Sequence, residues 1–94
     1  MYHMKLVKPL PGKADECKER WKKVATTAEN YEDIEFVGLY YPRGSGYNLA
    51  FVTKCKDYGA WEKFWKSPEF SEIRPKIQPA AAEEKDWFFE EIKL

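Results

Sequence analysis

The chain has few of the residues from which metal and redox sites are built. It contains one histidine, His3, and two cysteines, Cys17 and Cys55, which lie far apart and form no Cys-x-x-Cys pair. A zinc site needs several ligands at suitable spacing, so this composition predicts neither a metal site nor a bound cofactor. We expect both cysteines to be reduced and buried as small hydrophobic side chains.

The chain also lacks an excess of charge of either sign and any long apolar run. Sixteen Lys and Arg residues balance sixteen Asp and Glu residues, so the formal net charge is zero. This balance argues against a protein that mainly coats nucleic acid or an anionic membrane. No apolar stretch approaches the roughly 20 residues that span a bilayer, and the N-terminus lacks the layout of a signal peptide. We therefore expect a cytoplasmic protein that binds neither nucleic acid nor membrane.

Aromatic residues, in contrast, are abundant. The 94 residues include four Trp, six Tyr and six Phe. The length predicts a single domain that spans residues 1–94. Each buried aromatic ring removes roughly 150–250 Å² from water, and this supply of rings is large for one small core. We expect some of the rings to face a ligand or a second copy of the chain.

Hydrophobic periodicity predicts a strand, a helix and two further strands in the first half of the chain. Residues 2–7 alternate as a strand, with His3, Lys5 and Val7 on one face. Residues 13–30 carry apolar side chains at spacings of three and four, as a helix does. Residues 33–42 and 47–55 are strand-like, and a glycine-containing loop joins them as a hairpin. In the first of these strands, Phe36, Gly38 and Tyr40 are predicted to share one face.

The stretch of residues 57–77 is predicted to be an aromatic helix that is broken in two. Asp57 is placed to cap the first segment, and Ser67-Pro68-Glu69 restarts the helix with Ser as the N-cap. Residues 78–84 are predicted to be a connection with helical tendency in its alanines. The last eight residues, 87–94, are predicted to be the fourth strand.

The order βαββαβ predicts an α+β domain of the ferredoxin-like fold. Right-handed crossovers place both helices on one face of a four-stranded antiparallel sheet. The other face keeps large apolar side chains, and a bare apolar face of several hundred Å² needs a partner. The simplest partner is a second copy related by a two-fold axis, so we expect a homodimer through the open sheet face.

The chain resembles the dimeric α+β barrel superfamily over nearly its whole length. The resemblance is carried by the element order and by the segment Trp61-x-x-Phe64-Trp65-Lys66-Ser67-Pro68-Glu69-Phe70. It is similar to the antibiotic-biosynthesis-monooxygenase-type and stress-response proteins of that superfamily. The resemblance implies two sheets that close into a barrel and, in each subunit, a pocket between sheet and helices. The superfamily also contains haem-degrading enzymes and lactone isomerases, so fold alone constrains function weakly.

Two more specific functions are disfavoured by single positions. The haem-degrading branch of the superfamily implies an axial histidine near position 74 and an Asn on the first strand. Here Arg74 occupies that position, and the first strand has no Asn. Arg is no ligand for iron. The RNA recognition motif shares the element order, but residues 45–52 lack its basic residue and its aromatic alternation.

Seven residues are candidates for binding a ligand, and no catalytic residue is assigned. The candidates are His3, Tyr40, Tyr47, Phe51, Trp61, Trp65 and Arg74. His3 has a pKa suited to a general base, but near a chain end a partly exposed strand residue is the favoured interpretation. For the Tyr and Trp residues, core or interface packing is the competing interpretation. For Arg74, a surface salt bridge competes with a contact to a carboxylate ligand.

The sequence thus favours a homodimeric barrel protein that binds a small apolar or aromatic ligand in an aromatic-lined pocket. Two alternatives stay open. One is a cofactor-independent monooxygenase-like enzyme that acts on a quinol or a polyketide-like aromatic. The other is a structural or stress-associated dimer without a ligand. Whether the protein is an enzyme is left undecided by the sequence.

Overall fold

The computed structural model describes residues 1–44, 46–77 and 80–94, with only the backbone for residues 74–77. The elements are β1 (Tyr2–Pro9), α1 (Ala14–Glu29), β2 (Ile34–Tyr40), β3 (Leu49–Cys55), α2 (Tyr58–Trp65), α3 (Pro68–Ile77) and β4 (Ala81–Phe89). The sheet order is β2-β3-β1-β4, and every neighbouring pair is antiparallel. The predicted α+β, ferredoxin-like fold is confirmed. None of the helices that the structure describes is long and apolar enough to cross a membrane.

Strand alternation decides which side chains enter the core. On β1, His3, Lys5 and Val7 share one face, as predicted, and the structure places that face beneath the helices, where all three are buried. On β3, Leu49, Phe51, Thr53 and Cys55 share that covered face, because β1 and β3 pair in antiparallel register. The main hydrophobic core therefore lies between this face of the sheet and the helices.

Helix α1 is held by its apolar stripe and by the charges of its first turn. Cys17, Trp21, Val24 and Ala28 are all buried, at spacings of three and four residues. Acidic side chains in the first turn interact favourably with the helix dipole. Among them, Glu16 forms ion pairs with Lys13 and Arg20 on the helix surface. Cys17 and Cys55 are buried and unpaired, and burial raises the pKa of both thiols.

The predicted break in the second helix is confirmed. The Asp57 side chain caps α2 by accepting a hydrogen bond from the backbone N–H of Ala60 at 2.8 Å. Ser67 links the two segments: its hydroxyl donates to the Phe64 carbonyl at 2.6 Å and accepts from the Phe70 N–H at 3.3 Å. Pro68 then begins α3 at a position where its missing N–H leaves no helical bond unmade.

The predicted last strand was wrong in position. β4 begins at Ala81 and ends at Phe89, so the helical tendency assigned to the alanines and the strand assigned to residues 90–94 are both incorrect. Residues 78 and 79 of the predicted connection lie outside the described residues. The strand is fixed by pairing with β1 along its length, from Tyr2–Phe89 to Pro9–Ala81. Its charged residues concealed the alternation, because a strand residue that faces the core is expected to be apolar.

A β-bulge in β2 corrects the predicted faces of that strand. The register with β3 shifts between Phe36 and Gly38, so the two residues do not share a face. Phe36 packs on Phe51 in the core, with 5.6 Å between ring centroids, whereas Tyr40 lies on the open face. A Cβ atom at Gly38 would approach the end of the Tyr40 ring to 2.8 Å, so a larger residue there would displace that half-exposed ring.

Candidate functional site

Two cationic or potentially cationic side chains lie in the core of the domain. His3 and Lys5 on β1 point toward the helices and are only 0% and 2% exposed. The register of β1 with β4 places Asp86 opposite Lys5, with Glu84 one inward position further along β4. We call these four residues the interior polar cluster. A buried charge is tolerated only when it is paired, and β4 supplies the carboxylates.

The distances within the interior polar cluster are those of hydrogen bonds and ion pairs. His3 Nε2 lies 2.7 Å from Asp86 Oδ1. Lys5 Nζ lies 3.3 Å from the same carboxylate oxygen and 3.7 Å from Glu84 Oε2. Asp86 and Glu84 are partly exposed at 38% and 25% of their side-chain surface. The cluster therefore extends from the core to the edge of the sheet at β4.

An aromatic lid, defined here as Trp61, Trp65 and Phe88, covers the cluster. The Trp61 ring lies 4.6 Å from the His3 ring and stacks on Trp65 at 5.4 Å between centroids. Phe88 lies 5.0 Å from both His3 and Trp61. Lys5 Nζ lies 3.9 Å from the centroid of Trp65, a cation–π contact. The lid shields His3 and Lys5 from water, which strengthens the electrostatic interactions at the buried end of the cluster.

The cluster sets the protonation state of the histidine. Burial lowers the pKa of His3 below its ordinary value, although the hydrogen bond and charge of Asp86 oppose this effect. Burial acts to raise the pKa of Asp86, but the hydrogen bond with His3 and the charge of Lys5 outweigh it and lower that pKa. At neutral pH His3 is therefore neutral and Asp86 ionised, so Nε2 carries the proton and its N–H donates a hydrogen bond to Asp86.

Two buried nitrogen atoms in the layer between sheet and helices lack a partner among the described residues. They are His3 Nδ1 and Trp21 Nε1. With Nε2 protonated, Nδ1 carries a lone pair and accepts a hydrogen bond or a proton, whereas Trp21 Nε1 only donates. Leaving such an atom unsatisfied costs about 1–3 kcal/mol, so each is a candidate contact for a bound molecule. The described residues contain no group of three or more His, Cys, Asp and Glu side chains placed to hold a metal ion.

The structure brings together some of the candidates predicted from sequence and separates others. His3, Trp61 and Trp65 meet at the cluster, and Phe51 lies on the same covered face against Trp21, at 5.2 Å between centroids. The interpretation of His3 as partly exposed is wrong, because the lid and β4 bury it completely.

Of the remaining three candidates, Tyr40 and Tyr47 do not join this group. Tyr40 is on the open sheet face and is 50% exposed. Tyr47 lies at the start of the hairpin return, where its hydroxyl donates to Glu83 Oε1 at 2.8 Å. The side chain of Arg74 lies outside the described residues.

Sequence reasoning missed Lys5, Glu84 and Asp86. The sequence did contain one signal, because Lys5 lies between His3 and Val7 in the set of β1 residues that was predicted to share one face. A lysine on a covered face requires a carboxylate nearby. The run Glu83-Glu84-Lys85-Asp86 offers two acids at a spacing of two, but its place in a strand was not recognised.

No protein-family profile matches this chain, and no curated protein matches it by sequence. Solved structures do resemble it. One is named as an antibiotic biosynthesis monooxygenase, with a TM-score of 0.82, 10% identity and 98% of each chain covered. A protein from Nitrosomonas europaea, provisionally named an antibiotic biosynthesis monooxygenase, gives a TM-score of 0.83 at 10% identity, covering 99% of this chain and all of that one. A conserved protein from Methanosarcina mazei gives 0.74 at 19% identity, covering 92% and 89%.

Identities this low establish the fold and nothing finer. The structural similarity does agree with the resemblance inferred from the helix break and the element order. The chain has the ferredoxin-like fold of structures named as antibiotic biosynthesis monooxygenases.

Proposed function

We propose that this protein binds a small aromatic molecule with a weakly acidic hydroxyl group in the layer between sheet and helices. The observation that carries the proposal is the unpartnered, fully buried Nδ1 atom of His3, whose Nε2 is held by Asp86. A hydroxyl group of the ligand donates a hydrogen bond to Nδ1. The aromatic lid supplies ring surfaces against which an aromatic body stacks.

The same arrangement suits His3 to accept a proton from the bound hydroxyl. Asp86 fixes the ring and the tautomer, and its carboxylate stabilises the imidazolium that forms. Lys5 opposes a positive charge on His3, as its effect on the His3 pKa indicates. The same ammonium group stabilises the oxyanion that the ligand would carry after losing its proton. General-base assistance, in which His3 takes the hydroxyl proton as the ligand reacts, is therefore the chemistry that the interior polar cluster supports.

Entry of a ligand requires the lid to move on its exposed side. Trp61 is 7% exposed, whereas Phe88 is 38% and Tyr58 51% exposed. Tyr58 lies 5.8 Å from Trp61 and 5.1 Å from Phe88 between ring centroids. Rotation of Phe88 and Tyr58 would open a route from solvent to His3.

A second candidate function adds a reaction with dioxygen, and the names of the structural neighbours favour it. Loss of the hydroxyl proton makes a quinol or polyketide-like aromatic electron-rich enough to reduce O₂ without a cofactor. In the balanced reaction the ring CH₂ group of an anthrone, the keto tautomer of a hydroxyl-bearing aromatic, reacts with O₂ to give C=O and water, so the substrate supplies the electrons. His3 accepts the first proton and returns it to the reduced oxygen.

We also propose that the protein is a homodimer joined through the open sheet face. Four large apolar side chains on this face are strongly exposed: Val37, Tyr40, Trp87 and Phe89, at 42%, 50%, 50% and 44%. They lie on both edge strands, so a second copy related by a two-fold axis would cover them all. Light scattering of the purified protein tests this, and a monomer at micromolar concentration would refute it.

The binding proposal is tested with 2-naphthol as a probe. We expect the wild-type protein to bind it, with quenching of tryptophan fluorescence. His3→Asn and Asp86→Asn should weaken binding about tenfold or more, because one buried hydrogen bond to the ligand is lost or misoriented. Lys66→Gln on exposed α2 is the matched control and should bind like wild type.

Equal affinity of His3→Asn and wild type would remove His3 from the site. No binding by any variant, with the fold and the dimer intact, would instead favour a structural or stress-associated dimer without a ligand. Aerobic incubation with an anthrone then tests the oxidation, and the reading is the carbonyl product and the oxygen consumed.

A further inference from the structure

A second groove lies at the hairpin end of the domain, away from the interior polar cluster. Two cavities of about 270 and 200 Å³ adjoin there and share Lys18, Tyr41 and Leu49. Together they fall within the roughly 300–1,000 Å³ of small-molecule sites. No residue of the interior polar cluster or the aromatic lid lines either cavity. We define the hairpin groove by six of its residues, Cys17, Lys18, Leu39, Tyr41, Tyr47 and Leu49.

The floor of the hairpin groove is apolar. Cys17 and Leu49 are 0% and 4% exposed, and Leu39 packs against the same core. Tyr41 and Tyr47 stand on the hairpin side of the groove, and the Tyr41 side chain is 71% exposed. An aromatic ring fits such a floor, because stacking on phenol rings adds to the burial of apolar surface.

The charge of the groove is concentrated on Lys18. Its ammonium donates a hydrogen bond to Tyr41 Oη at 3.1 Å and lies 5.8 Å from the centroid of that ring. Among the described residues no carboxylate lies within ion-pair distance of Lys18, whereas Lys13, Lys22 and Lys66 each pair with a glutamate. Asp15 also lines the larger cavity, and its charge acts on Lys18. An anionic group is therefore favoured at Lys18 and disfavoured at the Asp15 side.

We propose that the hairpin groove is a binding site for an aryl carboxylate. The carboxylate accepts hydrogen bonds from Lys18, and the ring lies on Leu39, Leu49 and Cys17 beside Tyr41. The Tyr41 hydroxyl then loses its hydrogen bond from Lys18 or shares it with the carboxylate. Because Tyr41 is exposed, its hydroxyl is not left as a buried unpaired group. This site goes beyond the proposed function and is independent of His3.

The test uses benzoate as the probe and isotope-labelled protein observed by NMR. We expect benzoate to shift the backbone amide signals of Lys18, Tyr41, Asn48 and Leu49, with a saturable dependence on concentration. Lys18→Gln should weaken binding about tenfold or more, because a charge-assisted hydrogen bond is lost. Lys66→Gln should leave it unchanged. Neutral benzamide should bind about tenfold or more weakly.

Three results would overturn the proposal: equal affinity of Lys18→Gln and wild type, equal affinity for benzamide and benzoate, or shifts confined to residues around His3 and Trp61. His3→Asn separates the two sites. It should abolish the response to 2-naphthol and leave the benzoate titration as it is in wild type. Failure of one site therefore does not imply failure of the other.

Discussion

The two faces of the sheet differ in polarity where β1 and β4 pair. There the covered face carries charged side chains and the open face carries aromatic rings. The face covered by helices carries His3 and Lys5 on β1 and two acids on β4, all directed inward. The open face carries Trp87 and Phe89 on the same β4, both about half exposed. A domain optimised only for its own stability would place these residues the other way round. We therefore infer that the covered face binds a ligand and that the open face contacts a second chain.

The largest expected effect is a difference in the free energy of unfolding between two phenylalanine-to-alanine variants on opposite faces of the sheet. Phe51→Ala removes a fully buried ring that contacts Trp21 and Phe36, and should lower the free energy of unfolding by about 3–5 kcal/mol. Phe89→Ala removes a ring that is 44% exposed on the open face. It should change the free energy of unfolding of an isolated subunit by less than about 1 kcal/mol while weakening the dimer.

Urea denaturation measures the first quantity, and light scattering over a dilution series measures the second. If Phe89→Ala proved as destabilising as Phe51→Ala at concentrations where the protein is monomeric, the two faces would not differ as described.

A second comparison uses two lysines. Lys5→Met leaves Asp86 and Glu84 without their cation in the covered layer. We expect a loss of about 2–4 kcal/mol, somewhat below the value for a fully buried pair because both acids are partly exposed. Lys54→Met, on the adjacent strand but exposed on the open face, should change stability by less than about 0.5 kcal/mol. Similar denaturant midpoints for the two variants would show that the interior polar cluster does not depend on Lys5.

The smallest effect is the pH dependence of stability. His3 is the only histidine, and its pKa in the folded protein lies below the unfolded value of 6.5. The unfolded chain thus binds its proton first, so stability is fully present above that value and falls as the pH falls below it. Thermal unfolding should show this decline between about pH 7 and pH 5, before Asp86 titrates at lower pH.

His3→Asn should flatten the decline in that window, while Lys54→Met should keep it. An unchanged slope in His3→Asn would mean that His3 does not titrate differently in the folded and unfolded protein.

Much of the fold could be predicted from the sequence because most of its signals are local. Spacings of three and four in α1, the Asp57 cap and the Ser67-Pro68 break each involve residues within a few positions of one another. These are fixed by backbone sterics and capping bonds that need no distant partner. Alternation divided β1 into its two residue sets, but the sequence did not show which set faces inward.

The parts that could not be predicted depend on distant partners. β4 was misplaced because its inward Asp86 and Glu84 are acceptable only opposite Lys5 and His3, at the other end of the chain. The bulge in β2 moved Tyr40 to the open face, away from the site to which it had been assigned. Of the candidate site, the sequence identified the histidine and the tryptophans but neither the lysine nor the acids that control them.

The sequence by itself determined the order of the elements, the broken aromatic helix and the surplus of rings, since these follow from periodicity and turn chemistry. Only the tertiary structure decided that His3 is buried, that Asp86 holds its Nε2, and that Nδ1 is left facing the interior layer. The physical reason is that the protonation state of a side chain and its unsatisfied hydrogen-bonding atoms depend on the groups that surround it. For His3, the hydrogen-bond partner Asp86 lies 83 positions away along the chain.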